Sequence, residues 1–256
     1  MVRGIEAAAK GMANIVNWND VIANNLANVN TPGFKQTLVS FKNIMDVQVN
    51  NPNPNTPGVL GNISAGSAID ASVIDFKQGS IKTTGNPLDL ALNGDGFFVI
   101  QTPQGQAYTR NGSFIINNNN EISTIDGYPV LGETGAPITL NFNAKDDVKD
   151  IKIDAQGNVE LNKVIIDKIK VVDFENRNSL QAMGGSLYKT SGNTPALTPE
   201  KYSISQGALE GANSNVIECM INSINGSRTY EHLSKVIETD NRTLSKVVSE
   251  VGRVRR

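Results

Sequence analysis

Near the start of the chain, apolar residues return every three or four positions: Ile5, Ala8, Met12, Ile15, Ile22, Leu26 and Val29, with Asn19 the polar member of the series. This alternation is a heptad seam and predicts a helix over residues 4–28. Thr31-Pro32-Gly33 ends it, because proline lacks the N–H a helix needs and glycine tolerates positive φ. Residues 34–45 form a second, shorter and weaker amphipathic stretch. The other end of the chain repeats the first pattern. Val216, Met220, Ser223, Ser227, Tyr230, Ser234, Ile237, Asn241, Leu244, Val248 and Val251 alternate by four and three. As a helix this stretch would be about 50 Å long and would overhang a compact domain of about 150 residues. Its polar seam positions make a poor lone zipper and suit a crowded multi-helix assembly, where small side chains let backbones approach.

Between the ends the period changes. Residues 46–67 are rich in Asn, Pro and Gly and read as an extended connector. From 81 to 205, short β-type runs alternate with turn signals. Phe97-Phe98-Val99-Ile100 leads into Thr102-Pro103-Gln104-Gly105, residues 154–158 read as a hairpin turn, and residues 164–174 form the longest alternating strand. Strands at this spacing without helices between them indicate an all-β domain. The expected fold is α+β: long N- and C-terminal helices packed as a coiled-coil-like layer, with an all-β domain inserted. The expected divisions are 1–45, a helical assembly segment; 46–80, the connector; 81–205, a β-rich outer domain; and 206–256, a second helical assembly segment.

Charge follows the same divisions. Residues 1–45 carry +2, residues 206–256 carry +1, and the stretch between them carries −5, within a net charge of −2. Near-neutral ends suit packing and an acidic middle suits solvent. So balanced a chain lacks the footprint of a nucleic-acid binder. One cysteine excludes an internal disulfide, and one histidine excludes a two-histidine metal site within one chain. No apolar run reaches the roughly 18 residues of a membrane span. Glu6, Lys10, Asn14, Asn17 and Asp20 interrupt any secretory leader core, so the chain is expected to use neither a cleaved signal nor membrane insertion.

Candidate chemistry is thin. His232 sits beside Glu231 in the middle of a predicted helix, and Cys219 lies on an apolar face beside Met220. A surface histidine and a small buried hydrophobe describe them better than a triad or a nucleophile. Asp89 with Asp95 or Asp126 would imitate a glycosidase pair only as scattered carboxylates of an acidic face. Gly94 and Gly96 around Asp95 read as a tight turn, since no lysine or helix start follows. No cofactor or metal site is expected. Asn24, Asn25 and Asn28 lie where a helix ends. Their amides would cap orphan carbonyls or bridge to another chain, unless they merely reflect an Asn content of 32 residues. Asn19 is either a register-setting polar residue or an exposed one.

Three separated stretches carry a resemblance. Residues 22–35, IANNLANVNTPGFK, resemble the N-terminal signature of the flagellar axial proteins of rod and hook. Residues 206–215, QGALEGANSN, continuing through Glu218, Met220 and Arg228-Thr229-Tyr230-Glu231, resemble the matching C-terminal signature. Residues 85–92, 94–98 and 108–114 resemble the central block of rod and hook proteins. The resemblance implies a non-enzymatic structural subunit of the basal-body rod. It would assemble helically with copies of itself and with other rod proteins, and sit in the periplasmic rod after passage through the flagellar type III export apparatus. Residues 130–138 resemble the proximal rod type more closely, with a distal rod protein of the same build as the alternative. A secreted β-rich adhesin or hydrolase is the competing class, and it leaves both heptad seams unexplained. The assembly interface expected on this reading comprises Ile5, Ala8, Met12, Ile15, Asn19, Ile22 and Leu26 with Asn24, Asn25 and Asn28, and on the last helix Val216, Met220, Tyr230, Ile237, Leu244 and Val248.

Overall fold

A computed structural model describes residues 2–43, 47–50, 59–63, 67–140, 151–190, 195–199 and 201–253. Helix α1, Val2–Ala27, and helix α2, Val216–Arg253, realise the two heptad patterns. Neither is long and apolar enough to cross a membrane among the described residues. The turn of Thr31-Pro32-Gly33 follows α1, with the Thr31 N–H donating to the Asn28 carbonyl and Gly33 at φ +67°.

The strands, in chain order, are β1 (Thr37–Asn43), β2 (Val47–Asn50), β3 (Val59–Ile63), β4 (Ser67–Ile74), β5 (Ile81–Thr83) and β6 (Leu90–Gly94). They continue with β7 (Phe97–Thr102), β8 (Gly105–Thr109), β9 (Phe114–Ile116), β10 (Ile122–Thr124), β11 (Ile151–Ile153) and β12 (Asn158–Leu161). The last six are β13 (Val164–Lys168), β14 (Val171–Val172), β15 (Leu180–Gly184), β16 (Leu187–Thr190), β17 (Tyr202–Gln206) and β18 (Ala208–Glu210).

The chain forms two compact units that interleave along the sequence. The first combines residues 1–27, 37–73 and 215–256, and the second combines 28–36 and 74–214. In the first unit, α1 packs on α2, β1 pairs with β4, and β2 pairs with β3. The described residues of the 34–45 stretch, up to Asn43, are thus not a second amphipathic helix. β1 takes Thr37, Val39 and Phe41, residue types that fit a pleated surface better than a helix. Nor are the described parts of 46–80 a bare connector, because their unpaired backbone groups are satisfied by strand pairing. At the other end, residues 206–215 precede the helix, and β18 pairs antiparallel with β5 before α2 begins.

The second unit is the β-rich middle. Its largest sheet is antiparallel, in the order β14-β7-β8-β16-β15. β7 is buried on both faces. Phe98 and Ile100 join a core with Leu90, Leu92, Phe114 and Ile138, while Phe97 and Val99 join a second with Leu131, Phe174 and Tyr188. An apolar run without alternation is what two-sided burial requires. Phe97 stacks edge-on against Phe76 and Tyr188, and Phe98 against Phe114.

β11, β12 and β13 form a second antiparallel sheet. Its first turn is closed by Asp154, whose Oδ1 accepts from the Gln156 and Asn158 amides. The single strand expected over 164–174 is divided between β13 and β14. At the break the Ile169 N–H donates to Gly157 and the Lys170 N–H to Leu131, so the chain exchanges one sheet for the other.

Candidate assembly interface

α1 presents one stripe to α2. Ala8 and Ile22 are buried, and Ile5, Met12, Ile15, Asn19 and Leu26 are partly buried. The two helices run antiparallel, with Gly4 beside Asp240, Gly11 beside Leu233 and Asn19 against Gly226. A Cβ on Gly226 would overlap the Asn19 amide, so this glycine sets how closely the backbones approach at that point. Asn19 Oδ1 is buried there with no hydrogen-bond partner among the described residues.

The face of α2 that meets α1 shares only part of the stripe read from its sequence, namely Ser223, Ile237 and Leu244. Cys219 and Gly226 are buried, and Asn222, Ser223, Leu233, Ile237, Asp240 and Leu244 are partly buried. Of the expected positions, Ile237 and Leu244 lie on this face, whereas Val216, Met220, Tyr230 and Val248 are exposed. Small residues at 219, 222, 223 and 226 admit the partner helix, a seam that an apolar count passes over. Bulky apolar side chains remain on the opposite side.

The asparagines at the end of α1 act locally. Asn25 is buried, and its amide holds both backbone groups of Thr37: Nδ2 donates to the carbonyl at 2.8 Å, and Oδ1 accepts from the N–H at 2.9 Å. This two-point bond ties α1 to β1 within the first unit. Asn28 Oδ1 accepts from the Thr31 hydroxyl at 3.2 Å, which steadies the following turn. Asn24 is exposed.

Within the second unit, all three signature stretches converge on one buried carboxylate. Glu210 Oε1 accepts from Lys35 Nζ at 2.6 Å and from the Gly79 N–H at 2.8 Å, while Oε2 accepts from Arg110 Nη1 at 3.2 Å. Lys35 also donates to the Lys77 carbonyl at 2.7 Å, and Arg110 Nη2 to the Gly94 carbonyl at 2.8 Å. Arg110 additionally lies over the Phe97 ring, 5.4 Å from its centroid. Burial pushes the Lys35 and Arg110 pKa values down, and the Glu210 carboxylate opposes that shift in both. The Glu210 carbonyl accepts from the Gly33 N–H at 2.7 Å. A Cβ on Gly33 would overlap the Arg110 backbone, and one on Gly112 would overlap the Leu90 carbonyl.

The C-terminal signature makes two further crossings. Gln206 Nε2 donates to the Pro87 and Ile151 carbonyls, and its Oε1 accepts from the Ile153 N–H. Asn213 accepts from the Gln36 N–H and donates to the Asp75 carbonyl, both at 2.7 Å. Signature residues are therefore cross-braces between the start, middle and end of the unit. Sequence reasoning placed the stretches in order but missed the buried charge cluster.

The groups weighed for chemistry are dispersed. His232 is exposed on α2, and Cys219 is buried, with burial pushing its thiol up. Asp89 Oδ1 accepts from Asn86 Nδ2, while Asp95 pairs with Arg177 at 2.8 Å. No cluster of three or more metal-ligating residues occurs among the described residues.

A helix from each chain end, a β-rich middle, and signature residues spent on bracing define a structural protein of helix-ended α+β build. Three family models match successive stretches: flagella basal body rod protein over residues 5–35, flagellar hook protein FlgE/F/G D1 domain over 91–161, and flagellar basal body rod FlgEFG protein C-terminal over 205–250. The FlgG rod protein of Borreliella burgdorferi is 36% identical, covering 95% of this chain and 97% of its own. That of Bacillus subtilis is 31% identical, covering 97% and 99%. FlgF of Rhizobium meliloti is 30% identical, covering 98% and 99%. The chain belongs to the flagellar basal-body rod proteins, and it is a structural subunit of that rod.

Proposed function

We propose that the protein works by helical polymerisation, without catalysis, beside other rod proteins. α1 and α2 of many copies pack as a coiled-coil-like layer around a central channel, and the acidic β unit forms the outer wall. Heterologous contacts that do not close generate such an axis. The observation that carries this reading is the bulky apolar face of α2 left bare in the single chain, on a helix that also packs on α1. The expected interface residues from Ile5 to Asn28 and from Val216 to Val248 serve this layer, partly within a copy and partly between copies. The subunit reaches the periplasmic rod through the flagellar type III apparatus, keeping its N-terminal segment. Its position is that of the proximal type, on the reading of residues 130–138.

An electron-microscopy reconstruction of intact basal bodies tests the proposal. The expected result is density for this chain in the proximal rod, with α1 and α2 innermost and an intact N-terminal segment. Terminal helices outside the β units, or no copy in the rod, would overturn it.

A further inference from the structure

The face of α2 turned away from α1 begins with a ridge. Ile217, Met220, Ile221 and Ile224 follow i, i+3, i+4, i+7 spacing and are 68%, 51%, 52% and 52% exposed. That spacing is how one helix presents anchors to another. The face of α1 turned away from α2 is its counterpart in size: Ala9 and Ala13 are exposed, and Val16 is 46% exposed. Large side chains on one helix and small ones on the other let two backbones approach with the ridge seated.

Charge and symmetry fix the register. One turn beyond Ile224 stands Arg228, exposed and in no ion pair among the described residues. One turn before Ala9 stands Glu6, exposed, with Lys10 at 2.8 Å on the same helix among its contacts. α1 and α2 are antiparallel within the chain. In a polymer whose copies share one polarity, α2 of one copy therefore meets α1 of the next antiparallel as well. Setting Ile217 level with Val16 brings Ile221 level with Ala13, Ile224 with Ala9 and Arg228 with Glu6.

We infer that the occupant of the α2 ridge is a second copy of this chain, docked through the outward face of its α1 with Arg228 against Glu6. This rests on the polymerising-subunit reading and specifies the faces that mate. The contact is heterologous, so each copy offers a ridge to one neighbour and a small-residue face to the other.

Reciprocal charge reversal tests the pairing in cells that lack the native chain, read as the amount of protein in purified basal bodies. Glu6→Arg and Arg228→Glu are expected each to lose incorporation, and the double variant to recover it. Recovery by Asp20→Arg with Arg228→Glu instead would mean that the helices meet parallel, as in a two-fold dimer, and would overturn the inference. So would normal incorporation of Arg228→Glu alone, or failure of the Glu6–Arg228 double variant to recover. Both residues are exposed, so the monomer's thermal transition should not move. If a reversed chain misfolds, Glu6→Ala and Arg228→Ala replace it. Coupled residues then show a double loss no greater than either single one, and additive losses would overturn the pairing. Wild-type chain entering basal bodies keeps the polymer reading standing whichever way the pairing falls, whereas its failure to enter would remove that reading first.

Discussion

Glu210 is the shared partner of two buried cations, in a place water does not reach. Its side chain and that of Lys35 are fully buried, and Arg110 is nearly so. Removing one partner of a buried ion pair typically costs about 3–5 kcal/mol, since the charge left behind stays desolvated. Glu210→Gln keeps the shape and removes the charge, so the unfolding free energy from urea titration should fall by an amount in that range. Gly112→Ala acts without charge. Its Cβ has no room beside the Leu90 carbonyl, and a comparable loss is expected, with Gly127→Ala as the comparison in which only a φ of +85° opposes the side chain and no neighbour does. The cluster had a trace in the sequence that pattern reading passed over. Lys35 is the sole charge between Asp20 and Lys42, Arg110 the sole charge between Asp95 and Glu121, and Glu210 the sole charge between Lys201 and Glu218. Isolated charges in uncharged, glycine-bearing stretches are candidates for burial as a set. Which ones meet is a tertiary fact that periodicity does not encode.

The helices were legible as elements and only half legible as surfaces. A heptad count finds large apolar residues, so it located α1 and its packed stripe, where those residues do face inward. On α2 the inward stripe is made partly of Asn222, Ser223 and Gly226, and hydropathy reports such residues as polar or neutral, while Cys219 is the small buried hydrophobe the sequence indicated. β1 escaped notice for a related reason: Asn25, twelve residues away, supplies the bonds that fix Thr37. Two measurements address the helix pair. Cys219 should resist a thiol reagent in the native chain and react fully on unfolding. Gly226→Ala, which pushes on Asn19, should make Cys219 labelling markedly faster while leaving the β unit's thermal transition in place. Equal labelling rates in the two proteins would show that the glycine does not set the approach. Ile237→Pro removes a helical hydrogen bond and costs about 3 kcal/mol or more. It is expected to abolish rod incorporation and motility, while Lys235→Ala, exposed beside it, does much less.

Viewed as a whole molecule, the chain passes through its β unit and comes back to it, and this return has a consequence in time. Lys35 and Glu210 are 175 residues apart in sequence, and Arg110 is 100 residues from Glu210. Loop closure over such separations is slow, since the entropy is lost before the contacts form. A chain made from its N-terminus shows Lys35 and Arg110 to solvent long before their shared carboxylate arrives. Residues 28–205 made without the rest should therefore give no cooperative melt. The full chain should gain one only once residues 206–215 are present, as circular dichroism on stepwise C-terminal truncations would show. The brace is thus also a latch with a delay: until residues 206–215 have been made, Lys35 and Arg110 lack the carboxylate that both of them hold.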